Sequence, residues 1–278
     1  MMHLFDMLAS RCSRLTTHLY STSFSLGIRC LHERLRDPIY AIYEFVRLAD
    51  EIVDTFNGCN KRDLLFRFRD ETHRSIEEKI CLNPILHSFQ STVNEYKIDR
   101  RLIDSFLHSM EMDLDKKEYQ EEEIKEYITG SAEAVGLMCL SVFCKDNASL
   151  YAQLAPYARR LGSAFQKINF LRDLNADYIE KGRTYFPGVK MSRWSQSYKA
   201  KIEKSIDADF TEALKGIKQL PRTSRFGVYV AYIYYLSLFK KIKNTPPELV
   251  MKRRIRITNP DKARLLAYSY VKHQLNMI

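Results

Sequence analysis

Turn formers are scarce in this chain. Its 278 residues include 9 glycines and 8 prolines, about 3% each, where typical usage is roughly 7% and 5%. That shortage argues against a β-sandwich or propeller, whose short strands need frequent turns, and favours long helices. The six cysteines (Cys12, Cys30, Cys59, Cys81, Cys139, Cys144) contain no CxxC pair. They read as reduced thiols of a cytosolic protein, not as a disulfide framework or zinc site. HExxH, P-loop and GxGxxG patterns are missing, which weakens zinc-protease and nucleotide-fold readings. Long hydrophobic runs are missing too. The longest uncharged apolar stretch, Phe226 to Phe239, has 14 residues, whereas a spanning helix needs about 20. Bounded by Arg225 and Lys240-Lys241, it reads as a buried core helix. The opening MMHLFDMLASRCSRL carries an acid within its apolar part and lacks a signal-peptide layout.

Apolar residues reach 45%, enough for a sizeable core and too many for a disordered chain. No low-complexity segment, short-period repeat or flexible linker interrupts the pattern. One α-helical domain over residues 1–278 is the economical reading. The net charge of +10 is uneven. From Lys240 onward there are ten Lys/Arg and two acids, which leaves +2 for everything before. Such a tail suits nucleic acid, an anionic membrane, a phosphorylated substrate or plain solvation.

Punctuation falls at Asp37-Pro38, Asn57-Gly58, Asn83-Pro84, Gly130, Pro156, Lys181-Gly182, Pro187-Gly188, Pro221 and Pro246-Pro247. The spacing predicts a helix from Asp37, a good N-cap with proline at the next position, to a stop at Asn57-Gly58. Between them Ile39, Ile42, Tyr43, Val46, Ala49 and Val53 recur at steps of three and four, a core-facing stripe.

Asp50 and Asp54 lie on that stripe. With Tyr43 at zero, Arg47 falls near +40°, Asp50 near −20° and Asp54 near +20° at about 100° per residue. Unpaired carboxylates are costly to bury, so something cationic should face them. Internal pairing of Arg47 with Asp50 or Glu51 is the plain alternative. A second segment, PYARRLGSAFQKINFLRDLNAD (156–177), carries Asn169, Asp173 and Asp177 up one face at four-residue steps, with Gln166 close to that face. A carboxylate ladder repels itself without a cation. Mg²⁺ is the natural candidate, because it takes hard oxygen ligands and shares sites with substrate phosphates.

These pieces occur together with YSTSFSLG (20–27), YITGSAEAVG (127–136), RTYFP (183–187), and YYLSLFKKI followed by RRIRI (234–257). In this order and almost end to end, the sequence resembles the squalene/phytoene synthase family, head-to-head prenyl transferases of the all-α isoprenoid synthase fold with a central cavity. The resemblance implies that Asp50, Asp54, Asn169, Asp173 and Asp177 hold Mg²⁺ (or Mn²⁺) against substrate diphosphates. Ser21, Ser23, Arg47 and Arg172 match groups around the diphosphates. Phe24 belongs to the YSTSFSLG motif, and Tyr43, Tyr127, Gln166, Tyr185, Tyr235 and Arg254 match residues near the reacting ends, the pocket wall or its closing segments. Tyr43, Arg47, Tyr127, Arg172 and Tyr235 are thereby the catalytic set. Two positions depart from the commoner pattern. Thr22 stands where some members carry a basic residue, and Glu51 where many have aspartate.

What the resemblance implies for function is condensation of two prenyl diphosphates through a cyclopropyl intermediate. The compact length, the DEIVD form and the lack of a C-terminal membrane anchor resemble bacterial carotenoid members. They favour two C20 geranylgeranyl diphosphates giving phytoene without NADPH. The alternative is two C15 farnesyl diphosphates giving squalene or dehydrosqualene. The expected location is cytoplasmic and peripheral at the inner membrane surface, with the basic tail weakly held by anionic lipid. No nucleic-acid partner is expected. The small residues of GSAEAVGLMCL (130–140) permit close approach of either a neighbouring helix or a polyprenyl chain, and a non-catalytic relative would have lost the acidic ligands.

Overall fold

A computed structural model describes residues 2–180, 182–187 and 194–275. Lys181 of the first expected glycine turn and Gly188 of the second lie outside them. Helix follows helix: α1 (Met2–Tyr20), α2 (Thr22–Arg29), α3 (Glu33–Asp54), α4 (Lys61–Glu78), α5 (Pro84–Tyr96), α6 (Arg100–Asp115) and α7 (Glu121–Ile128). After a π-helical turn (Thr129–Glu133) come α8 (Ala134–Phe143) and α9 (Ala148–Asn175), then a second π turn (Ala176–Glu180). The chain continues through α10 (Gln196–Gln219), α11 (Arg222–Lys243), α12 (Pro247–Val250) and α13 (Asn259–Gln274). Among the described residues the only β feature is an isolated bridge between Glu118 and Thr184. The fold is all-α.

Helix ends explain how a glycine-poor chain turns. Ser21, Asn60, Asn83, Asp99, Asn147 and Thr258 cap α2, α4, α5, α6, α9 and α13 by accepting first-turn backbone N–H groups. At the other ends, Lys79 and Lys97 take the left-handed conformation that glycine usually supplies. Asp37-Pro38 does not start α3. The helix begins at Glu33, where His32 caps it, and Pro38 sits inside. Buried Leu35 extends the apolar stripe upstream, and Asp37 instead pairs with Arg14 of α1 at 2.6 Å. The C-terminal stop comes early as well: α3 ends at Asp54, and Gly58, at φ +92°, serves the following turn. Nor is Pro156 a boundary, since it lies inside α9. Gly130 falls within the first π turn, not at a break.

Two large cores and one smaller cluster hold the bundle. One core stacks Phe45 of α3 on Phe89 of α5 at 3.8 Å, with Phe68 and Phe106 closing round it. Phe45 is fully buried, so truncating it to alanine should cost about 3–5 kcal/mol. The other core joins α7, α9, α10 and α11. The apolar run of α11 is core, as its sequence suggests: Tyr229, Val230, Tyr232, Tyr234, Tyr235, Leu238 and Phe239 are buried. No helix among the described residues is long and apolar enough to cross a membrane.

Candidate active site

Between the two cores lies a cavity of about 940 Å³. Every residue assigned above to the catalytic, substrate or metal sets lines it: Ser21, Ser23 and Phe24 from α2; Tyr43, Arg47, Asp50 and Asp54 from α3; Tyr127 from α7; Gln166, Asn169, Arg172 and Asp173 from α9; Asp177 from the second π turn; Tyr185; Tyr235 from α11; and Arg254. The four-residue ladder stays on α9 through Asp173. Asp177 follows in the π turn, still lining the cavity, and its carbonyl accepts the Arg183 N–H at 2.8 Å.

The polar part interleaves acids with bases. Arg47 pairs with Glu51 and approaches Asp50 at 3.9 Å, so the internal pairing expected of an ordinary helix is present on a cavity-facing stripe. The guanidinium also lies over the Tyr20 ring at 4.4 Å. On α9, Arg172 grips the neighbouring Asp173 through Nε at 3.1 Å to each carboxylate oxygen. Arg254 reaches Asp173 Oδ1 at 2.7 Å. Burial pushes the Arg254 guanidinium below its ordinary value, against the pull of Asp173. Further cations come from the basic C-terminal segment, since Arg256 and Lys262 line the cavity and Lys262 Nζ donates to Thr22 Oγ1. A cation therefore stands beside Thr22, the position where some family members carry their own basic residue. Other tail charges are spent locally, Lys243 on Asp207 and Arg264 on Asp261.

An aromatic wall follows. Phe24 packs between Tyr43 at 5.5 Å and Tyr235 at 5.7 Å, and Tyr235 stacks on Phe165 at 3.9 Å. The Tyr235 hydroxyl donates to Asn169 Oδ1 at 3.3 Å, which ties the wall to the polar ladder. Burial pushes the Tyr43 phenol up to about 12. Beyond the wall, Val135, Cys139, Leu140, Phe143, Leu154 and Tyr157 line an apolar end. The small-residue segment packs against a neighbouring helix and also faces the cavity. A Cβ on Gly162 would come within 2.5 Å of the Ala132 carbonyl, so α9 and the first π turn touch through glycine, while Ser131, Ala132 and Gly136 form cavity wall.

Residues 17–261 match the squalene/phytoene synthase family. The chain belongs to this family. It is 27% identical over 255 residues to phytoene synthase 1, chloroplastic, of Zea mays, covering 84% of this chain and 61% of the relative. To 15-cis-phytoene synthase of a Synechocystis species it is 27% identical over 290 residues, covering 94% and 84%. The chain thus spans about three fifths of the plant relative. A dehydrosqualene synthase crystal structure superposes with a TM-score of 0.81 at 20% identity, covering 99% of both chains. A squalene synthase from Alicyclobacillus acidocaldarius gives 0.74 at 20% identity, covering 84% and 93%. At that identity the likeness is one of fold.

As a squalene/phytoene synthase family member the chain has a further constellation that the sequence reading did not single out. Buried Asp113 of α6 accepts the Tyr119 and Tyr127 hydroxyls at 2.7 Å each and the Tyr185 hydroxyl at 3.0 Å. Arg183 donates to the Asp113 carbonyl at 2.7 Å and to the Tyr185 hydroxyl at 2.8 Å, and lies 3.5 Å from Asp54 Oδ1. Burial raises the Asp113 carboxyl above its ordinary value, opposed by Arg183 and the three hydroxyls. Burial, and then the Asp113 charge, holds the Tyr127 phenol protonated. The signal was present in the sequence: Ile103, Phe106, Met110 and Asp113 step by three and four, the same intrusion of an acid onto an apolar stripe that marks Asp50. Arg256 showed only as part of the RRIRI segment, and Lys262 left no local mark.

Among the described residues no three His, Cys, Asp or Glu side chains are grouped closely enough to hold one metal ion. The acids are distributed over α3, α9 and the π turn, and arginines stand against Asp50, Asp54 and Asp173. Their donor chemistry nonetheless fits a hard cation. Asp50, Asp54, Asn169, Asp173 and Asp177 present only oxygen donors on these side chains apart from one amide nitrogen, and all line one cavity. Mg²⁺ favours such shared sites over all-protein cages, with phosphate oxygens and waters completing the shell.

Proposed function

We propose that this chain condenses two prenyl diphosphates head to head through a cyclopropyl diphosphate, releasing two diphosphates. The observation that carries the reading is one cavity joining a cation-and-carboxylate end to an aromatic wall and an apolar end. A diphosphate head and a polyprenyl tail need those environments in that order. Arg47, Arg172, Arg254, Arg256 and Lys262 supply donors for phosphate oxygens, the arginines through a fork that matches them. Asp50 and Asp54 from one side, and Asn169, Asp173 and Asp177 from the other, would hold Mg²⁺, or Mn²⁺ in its place. Bound there, the ion supplies Lewis-acid stabilisation of the departing diphosphate. Phe24, Tyr43, Phe165 and Tyr235 exclude water from the allylic cation left behind and offer it π faces. The Tyr127 hydroxyl hydrogen is committed to Asp113, so its oxygen can take a proton from the cation as its own passes to the carboxylate.

The preferred substrate is geranylgeranyl diphosphate and the product phytoene, supported by the phytoene synthases among the relatives. Phytoene keeps a central double bond formed by proton loss, so NADPH is not required. Substrate and product being lipids, weak peripheral contact with an anionic membrane belongs to the same reading. Purified protein supplied with geranylgeranyl diphosphate and Mg²⁺ should release two diphosphates per hydrocarbon formed. EDTA should stop the release and added Mg²⁺ restore it. Undiminished turnover in EDTA would remove the metal from the reading.

A further inference from the structure

Helix α1 sets Phe5 on the His87 ring at 4.7 Å but turns its leucines outward. Toward the bundle it buries Ala9, Ser13 and Thr17, small or polar side chains. Leu4, Leu8, Leu15 and Leu19 are 70%, 51%, 62% and 76% exposed. At about 100° per residue these leucines and Arg11 fall within an arc of about 80°. An apolar stripe facing water is the reverse of ordinary helix patterning and marks a surface that meets something else. Most of α1 precedes residues 17–261, the part that matches the family.

Beside the stripe is a small pocket lined by Arg14, His18, Arg29, Arg36 and Tyr40 together with Glu33, three arginines to one acid. Two of these residues, Arg14 and His18, belong to α1, so stripe and pocket are continuous. The pocket is braced: His18 packs on the buried Tyr40 ring at 5.8 Å, Arg36 Nε donates to the Leu31 carbonyl at 3.0 Å, and Arg14 is steadied by Asp37. The acid of α1, Asp6, is engaged by His87 at 2.8 Å. Tyr20, at the far end of the same helix, lines the catalytic cavity.

We infer that the outer face of α1 docks on an anionic lipid bilayer, its leucines entering the headgroup–acyl boundary while the Arg14, Arg29 and Arg36 pocket takes a headgroup phosphate. Charge complementarity selects this occupant. Arg11 lies along the edge of the stripe with Arg14, Arg29 and Arg36 beside it, a basic margin that suits a lipid interface, where arginine extends its head to the phosphates. The purpose of the contact, exchange of lipid substrate and product beside Tyr20, rests on the prenyl-transfer reading. The surface itself does not.

The test is co-sedimentation of the full chain with phosphatidylcholine vesicles prepared with and without phosphatidylglycerol, at low and high salt. Binding should require the anionic lipid and weaken with salt. L8E/L15E changes two exposed positions and should lower partitioning by about tenfold or more while leaving the helical circular dichroism unchanged. R29A should lower it by about fivefold, since each basic residue near the surface contributes roughly one kcal/mol. K252E/R253E, on the exposed C-terminal segment, should leave it unaltered. Equal binding to neutral and anionic vesicles, wild-type binding by L8E/L15E, or a self-association abolished by L8E/L15E with no vesicle binding, would each overturn the inference. Because the assay needs no turnover, vesicle binding by a catalytically inactive preparation would count against the enzymatic reading alone.

Discussion

Asp173 is held by two arginines, Arg172 beside it and Arg254 from the segment after α12. Substituting it removes a proposed cation ligand and frees both guanidinium groups. Asp173→Ala and Asp50→Ala should each abolish turnover, a loss of about a thousandfold or more, with the helical fold retained. Steady-state rates at ordinary Mg²⁺ and far-UV dichroism check this, and near-normal rates in either variant would refute the ligand assignment. Tyr127→Phe removes only the hydroxyl that donates to Asp113. It should lower kcat by about a hundredfold with little change in KM, as expected of proton transfer without a role in binding. Glu44 tests a different property. This carboxyl is buried between α1 and α3, touches Thr17 Oγ1 at 3.3 Å, has no hydrogen-bond partner at Oε2, and is pushed up to about 7 by burial. A carboxyl raised in the folded state stabilises the fold below its unfolded value near 4.5, and that contribution is lost as pH rises through about 7. Glu44→Gln should therefore melt higher than the parent at pH 8, by roughly 3 kcal/mol at most, with the difference shrinking toward pH 4–5. Denaturant melts across that range would show it.

At the scale of elements, α3 and α9 bring most of the polar groups to one place, and their sequences announce it. Asp50 and Asp54 on an apolar stripe, and Asn169 with Asp173 on one face, were legible because the helical period is rigid over those stretches. The helix limits were less so. Asp37-Pro38 has the chemistry of a helix start, but Leu35 burial and the Arg14 partner carry α3 past it, which only the tertiary arrangement reveals. Likewise the π turn that holds Asp177 had no mark in the sequence, where the ladder reads as one continuous α-helix. Lys262 could not be placed at all, because its contact with Thr22 joins residues 240 positions apart. Asn147 bears on α9 alone. Its side chain accepts the Leu150 N–H at 2.9 Å, and Asn147→Ala should cost about 1 kcal/mol of stability with activity unchanged. Gly162→Leu is the contrasting case. A side chain there drives α9 from the Ala132 carbonyl, and both the melting temperature and turnover should fall, by roughly 1–3 kcal/mol in stability.

For the whole molecule, two apolar cores leave a cavity between them and a ring of charge at one part of it. Few glycines and prolines, noted first as a deficit, are what a bundle of long helices with side-chain caps requires. Part of the basic excess of the C-terminal segment is accounted for by the same architecture: Arg254, Arg256 and Lys262 turn inward to the cavity. These features meet in the claim that the cavity joins two C20 diphosphates. The most direct test is product analysis after incubating the purified chain with Mg²⁺ and either geranylgeranyl or farnesyl diphosphate, each with and without NADPH. The account predicts phytoene from the C20 substrate, formed equally well without NADPH. Hydrocarbon from the C15 substrate alone, or a strict need for NADPH, would contradict it.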